Sequence, residues 1–373
     1  MVGMAIRSSG GRDGDPPGRL ALFTDRLTDA FLPAESPPSP VREYPFELAV
    51  CARLERDPGV AGIDEPVLAR QLGAGVREPG NRVIDVVLVE PGPRFEERAR
   101  ITPREIPAAA IESRVGPGRA RHPPKAFDCH PERARRIAEH AVEIGFFEVE
   151  RRGGRELVRQ VTRYPEGWFG RLVGIENKPD LGEPGDLETQ LRKDASLGLF
   201  DAVVLATESH VTGAHLNRIP EEVGVWRVHV GDTEIHIQVV REPEPLPADE
   251  PGVELLAEHP GRTEIALVDA EEKARARRRL AERAYGKGWR PTDLPGCGKA
   301  EAAEIAGANG LPGCDWKCRL VDPAACGPDC PGYDPGSPPS TDPGADRDAR
   351  TPWVKEPEGA VRRQAGLDRY VEN

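Results

Sequence analysis

The sequence predicts an α/β fold, a mixed sheet flanked by helices, followed by a cysteine-rich module. Three observations predict it. Short β-branched runs bounded by Pro and Gly recur at 82–92, 172–176 and 200–207. Apolar residues at helical spacing occupy 46–54 and 186–197, beside these runs. Five of the seven cysteines crowd into residues 297–330.

The chain of 373 residues has room for two domains, or for one domain with insertions. Residues 1–42 are rich in Gly, Pro, Ser and Asp and are expected to be mostly disordered, apart from LALFTDRLTDAFL, which suits a short amphipathic helix. YPFELAVCARLER (44–56) reads as a helix with Pro45 in its first turn. RVIDVVLVEPG (82–92) reads as a strand that Asp85 interrupts. Residues 95–168 read as an insertion into a core spanning 43–241. Within it PERARRIAEHAVEI (131–144) suits a helix, and 146–164 a hairpin turning at Gly153-Gly154. Arg151, Arg152, Arg155, Arg159 and Arg163 give that hairpin a basic face of winged-helix shape, suited either to DNA or simply to solvent.

A second strand follows at 172–176. Asp186 then caps a helix to Leu197, with acids in its first turn. FDAVVLAT (200–207) suits a buried strand, and 223–230 and 233–240 suit two more. The Pro/Glu-rich stretch 242–252 marks a boundary. Residues 253–330 hold a charged helix (270–285) and the cysteines, and 331–373 read as a flexible tail.

The net charge of -12 argues against a uniformly basic nucleic-acid coat but leaves room for a local basic groove. Only eight of the 51 basic residues are Lys. Acid excess with scarce Lys suggests a high-GC genome and a salt-adapted surface. In molar salt, charge is screened within about 3 Å, so net charge says little about DNA binding there. No run approaches the roughly 18 apolar residues of a membrane span, and the N-terminus lacks a basic-then-apolar leader pattern. A cytoplasmic protein with no membrane partner is expected.

The chemistry concentrates in LVGIENKPD (172–180). Residues i and i+2 of a strand share a face, so Glu176 and Lys178 are expected to point one way. Asp85, Glu176, Lys178, and Gln190 and Lys193 of the next helix could meet at one sheet edge. Carboxylates from two adjacent strands suit Mg²⁺, which stabilises charge developing on a phosphate. A neighbouring Lys can orient or deprotonate a water.

These pieces resemble the PD-(D/E)XK nuclease superfamily, with its restriction-endonuclease-like fold. The resemblance runs over FELAVCARLE (46–55), RVIDVVLV (82–89), GIENK (174–178) and DLETQLRKDASLGLFDAVVLA (186–206). It implies a Mg²⁺- or Mn²⁺-dependent nuclease that hydrolyses DNA phosphodiesters. Asp85 and Glu176 would hold metal, Glu47 would be an accessory ligand, and Lys178 the catalytic lysine. Gln190 and Lys193 would contact substrate phosphate. The sequence departs from the pattern in having Ile84, not Pro, before Asp85, and in the long gap between Asp85 and Glu176. The rival expectation is a non-catalytic DNA-binding or regulatory protein built on the winged-helix-like insertion and the cysteine module.

CDWKCRLVDPAACGPDC (314–330) spaces Cys314, Cys318, Cys326 and Cys330 as C-x3-C-x7-C-x3-C. Four such thiols suit Zn²⁺ or an iron–sulfur cluster, with Cys297 a substitute ligand. Cys51, on the first helix, keeps the iron–sulfur option open. The histidines form no close ligand pair, Ser196 and Ser209 lack a nucleophile elbow, and no phosphate-binding loop for ATP is present.

Overall fold

The structure is a computed structural model that describes residues 40–182, 185–231, 234–291, 294–342 and 344–345. The expected disordered segment and its short helix, and the end of the tail, lie outside the described residues.

In chain order the elements are α1 (Pro40–Arg56), β1 (Val67–Gly73), β2 (Val83–Pro91), α2 (Phe95–Ala99), α3 (Ala108–Ile111), α4 (Pro131–Glu143), β3 (Phe147–Arg152), β4 (Arg155–Gln160), β5 (Phe169–Asn177), α5 (Leu187–Leu197), β6 (Ala202–Thr207), α6 (Gly213–Leu216), β7 (Gly224–Val230), β8 (Ile235–Arg241), β9 (Gly252–His259), β10 (Arg262–Val268), α7 (Ala270–Lys287), β11 (Ala300–Ile305), β12 (Ala308–Cys314) and β13 (Arg319–Leu320).

The fold is mixed α/β. Six strands form one sheet in the order β1-β2-β5-β6-β7-β8. The pairs β1–β2, β2–β5 and β7–β8 are antiparallel, whereas β6 runs parallel to both β5 and β7. The core is therefore a helix, a three-stranded antiparallel meander, a crossover helix and a parallel strand. The meander is interrupted between β2 and β5 by the insertion, which carries α4 and the β3–β4 hairpin.

Helices cover both faces of the sheet, as its apolar central strands require. One face packs Phe46, Leu48, Val50 and Leu54 of α1 on Val86, Leu88, Val173, Ile175 and Val204, together with Leu311 and Leu320 of the C-terminal sheet. The opposite face packs Leu187 and Leu191 of α5 and Leu280 and Ala284 of α7 on Val87, Leu172, Val203 and Leu205. Gly174 is required where β5 passes Phe200: a Cβ there would sit 3.1 Å from the ring. Gly198 ends α5 in the left-handed conformation, φ 57°.

Two buried ion pairs tie the outlying segments to this core. Arg98 of the insertion meets Glu282 of α7 at 2.6 Å, both wholly buried, and the Tyr164 hydroxyl donates to the same carboxylate at 2.8 Å. Arg290 and the Trp289 indole bind Glu55 of α1 at 2.6 and 3.0 Å. Pairs this deep are strongly destabilising to break from one side.

Three features depart from the sequence expectations. β1 was not anticipated, because VLARQLG carries Arg-Gln in what is otherwise an apolar run. The hairpin β9–β10 was also missed; its exposed residues, Ile265 and Leu267 among them, give no clean alternation. Helix α1 starts earlier than expected, so Pro45 lies inside it rather than in its first turn. Among the described residues no helix is long and apolar enough to cross a membrane.

Candidate functional site

The meander and α1 bring three carboxylates to one end of the sheet. Val86 of β2 pairs with Ile175 of β5, so one further step sets Asp85 opposite Glu176. The ladder changes there: the Asn177 N–H donates to the Asp85 Oδ2 at 2.8 Å instead of to a backbone carbonyl. Gln71 of β1 joins the third acid. Its amide donates to Asp85 Oδ1 at 3.1 Å and to Glu47 Oε2, on α1, at 2.7 Å. Arg70 holds the other oxygen of Glu47 at 2.7 Å. Gln71 does this at φ +53°, a left-handed backbone that a non-glycine residue adopts at a cost.

Glu176 faces α5. Arg82, just before β2, forks onto Asp194 of α5 at 2.9 and 2.7 Å and reaches Glu176 at 2.5 Å. Arg82, Glu176 and Asp194 are all buried. Burial, and then the charge of Asp85, push the Glu176 carboxyl up to about 8 against the pull of Arg82. Burial likewise pushes Glu47 up to about 7 against Arg70. Asp85 is raised as well, by burial. It makes no ion pair among the described residues. Burial thus raises all three carboxyls, and the charge of Asp85 adds to the rise of the other two.

Lys178 lies one residue beyond β5. Its N–H donates to the Ala206 carbonyl at 2.9 Å, and its ammonium pairs with Glu43 of α1 at 2.6 Å. Glu176 thus engages the α5 layer and Lys178 the α1 layer. The expected shared face fails because the strand, with its two-residue alternation, stops at Asn177. Between them the Asn177 side chain is buried, and neither its oxygen nor its nitrogen has a partner among the described residues. An orphaned buried amide is costly unless something binds it.

Lys193 holds the loop before β2, through Asn81 Oδ1 at 2.8 Å, and Gln190 is half-buried on α5. Neither hydrogen-bonds the acids.

Sequence reasoning missed Arg70, Gln71, Arg82, Asp194 and Glu43. A signal existed for Asp194, which lies on the buried stripe of Leu187, Leu191 and Leu197; a charge at such a position implies a buried partner.

A basic row approaches the same place. Arg275, Arg279, Arg283 and Lys287 follow at four-residue steps along one face of α7. The three arginines line a cleft of about 290 Å³ with Gly73 to Arg77. At its end Arg283 donates to the Gly73 carbonyl at 2.6 Å and Lys287 to the Gln71 carbonyl at 2.8 Å. Arg275 and Arg279 also pair with Glu271 and Glu112, at 3.2 and 3.0 Å, as Arg151, Arg152 and Arg159 of the β3–β4 hairpin pair with Glu156, Glu150 and Glu148.

The cysteines gather differently from their spacing. Cys297, Cys314, Cys326 and Cys330 line one cleft. Cys318 is exposed, and its thiol donates to the Asp315 carbonyl at 3.2 Å. Cys51 is buried inside α1, beside Glu47 and Arg70. Among the described residues no three His, Cys, Asp or Glu side chains are already gathered around a metal position.

Fold and site together define a mixed α/β protein with a carboxylate cluster at the end of an antiparallel meander. The chain belongs to a family of unknown function (DUF5787), whose model matches residues 67–335. No curated protein and no solved structure matches it.

Proposed function

We propose that this protein is a metal-dependent nuclease that hydrolyses DNA phosphodiester bonds, of the PD-(D/E)XK kind. One observation carries the reading: the helix, antiparallel meander, crossover helix and parallel strand set Asp85 opposite Glu176, with Lys178 just past the strand end.

The donor set fits a hard divalent cation. Asp85 and Glu176 would hold it, with Glu47 an accessory ligand; all are oxygen donors. Their raised carboxyls and the orphaned Asn177 amide support a ligand here. When bound, the cation supplies charge compensation for the phosphodiester and Lewis acidity.

The protein's own groups do the rest. Gln71 fixes Asp85 relative to Glu47. Arg82, anchored on Asp194, fixes Glu176. Lys178 is 22% exposed. It exchanges its partner Glu43 for a substrate phosphate and orients the attacking water. The α7 row carries the DNA backbone toward the acids, since phosphate contacts position a substrate without reading its sequence.

The test compares Asp85→Asn, Glu176→Gln and Lys178→Ala with wild type for Mg²⁺- or Mn²⁺-dependent cleavage and for DNA affinity. Cleavage should fall at least about 10³-fold in each variant, about 4 kcal/mol of barrier, with affinity changed little. Variants that cleave as wild type does would remove these residues from the mechanism.

A further inference from the structure

The segment after α7 has little core of its own. Among the described residues its buried hydrophobic side chains are Trp289, Cys297, Ala308, Leu311, Leu320 and Val321, and four of these belong to the cluster built on α1. Residues 321–342, rich in Pro, Gly and Asp, hold one short 3₁₀ turn at Pro323–Ala325. So small a unit needs a staple.

Four thiols stand where a staple would work. Cys297 precedes β11, Cys314 ends β12, Cys326 follows the 3₁₀ turn and Cys330 sits in the next turn. All four line a cleft of about 290 Å³. The Cys297 sulfur accepts the N–H groups of Asp334 and Lys299, at 3.4 and 3.5 Å. It also lies within hydrogen-bonding reach of Cys326.

We propose that Cys297, Cys314, Cys326 and Cys330 bind a single zinc ion as a tetrathiolate, and that Cys318 takes no part. Sulfurs on one tetrahedral zinc stand about 3.8 Å apart, as Zn–S bonds of about 2.3 Å require. Cys297 and Cys326, within hydrogen-bonding reach of each other, are close enough to share one ion. Thiolates on different irons of a cluster stand farther apart. Binding releases the thiol protons of all four cysteines. The zinc would tie the irregular 321–336 loop to the β11–β12 sheet.

The test uses the full chain purified without chelator. Elemental analysis should find about one zinc per chain, retained in Cys318→Ser and lost in Cys297→Ser. Should Cys297→Ser fail to fold, the wild type decides. A mercurial titration of its thiols should release zinc in step with four cysteines, while Cys318 reacts beforehand without releasing any. Iron with visible absorption, disulfides among these cysteines, a metal-free chain, or zinc lost in Cys318→Ser but kept in Cys297→Ser would overturn the assignment.

Discussion

At the scale of single residues the acids dictate a pH dependence. Glu176 is raised to about 8 and Glu47 to about 7, both mainly by burial. The groups around them are Asp85, Arg82 and Asp194 for Glu176, and Arg70, Gln71, Asp85 and Lys287 for Glu47. The folded state binds protons here that the unfolded state has released. That contribution is fully present below the ordinary carboxylate range and is lost as pH rises through about 7 and then about 8. In chelator, the wild type should lose melting temperature across this window. Glu176→Gln should flatten the upper part, and Mg²⁺ should restore the wild type most at the alkaline end. A melting temperature independent of pH would contradict the burial of these acids. Gln71 gives a second test. Glycine carries its φ of +53° without strain, so Gln71→Gly should be more stable than Gln71→Ala by about 1 kcal/mol in urea unfolding. The sequence shows Asp85, Glu176 and Lys178 as oddities, charges at the ends of apolar runs. It does not show Gln71, because a polar residue in a short, mixed run carries no sign that its backbone is strained.

At the scale of elements, the Arg82 bridge holds α5 to the β2–β5 meander. Arg82→Met would leave Asp194 and Glu176 buried without their cation and should cost about 3–5 kcal/mol in denaturant unfolding. A loss under about 1 kcal/mol would mean that water reaches the bridge. The strong periodic segments were legible in the sequence: α1, α4, α5, α7 and strands β2, β5 and β6 follow from apolar spacing and Pro/Gly stops. β1 was not, since Arg70 and Gln71 break its pattern in order to bind Glu47 and Asp85. The same pair that obscures the strand builds the site. The cysteine cleft was legible only in part: sequence proximity groups Cys318 with Cys314, Cys326 and Cys330, whereas the pairing of β11 with β12 sets Cys297 in the cleft of the other three.

At the scale of the whole molecule, a chain of net charge -12 must gather its basic residues locally to hold DNA. The α7 row does so, beside the acids. Replacing Arg275, Arg279 and Arg283 together by Gln should weaken DNA binding and lower the salt slope, by about 0.9 for each phosphate no longer neutralised. An unchanged slope would place the DNA elsewhere, the basic face of the β3–β4 hairpin being the next surface to test. The central claim is chemical, and cleavage tests it most directly. Wild type is incubated with single-stranded, duplex and branched DNA in Mg²⁺ or Mn²⁺, at low and molar KCl, beside a chelator control. Strand cleavage that needs the cation is the expected result. Folded wild type that binds these DNAs and leaves every one intact would contradict the nuclease assignment.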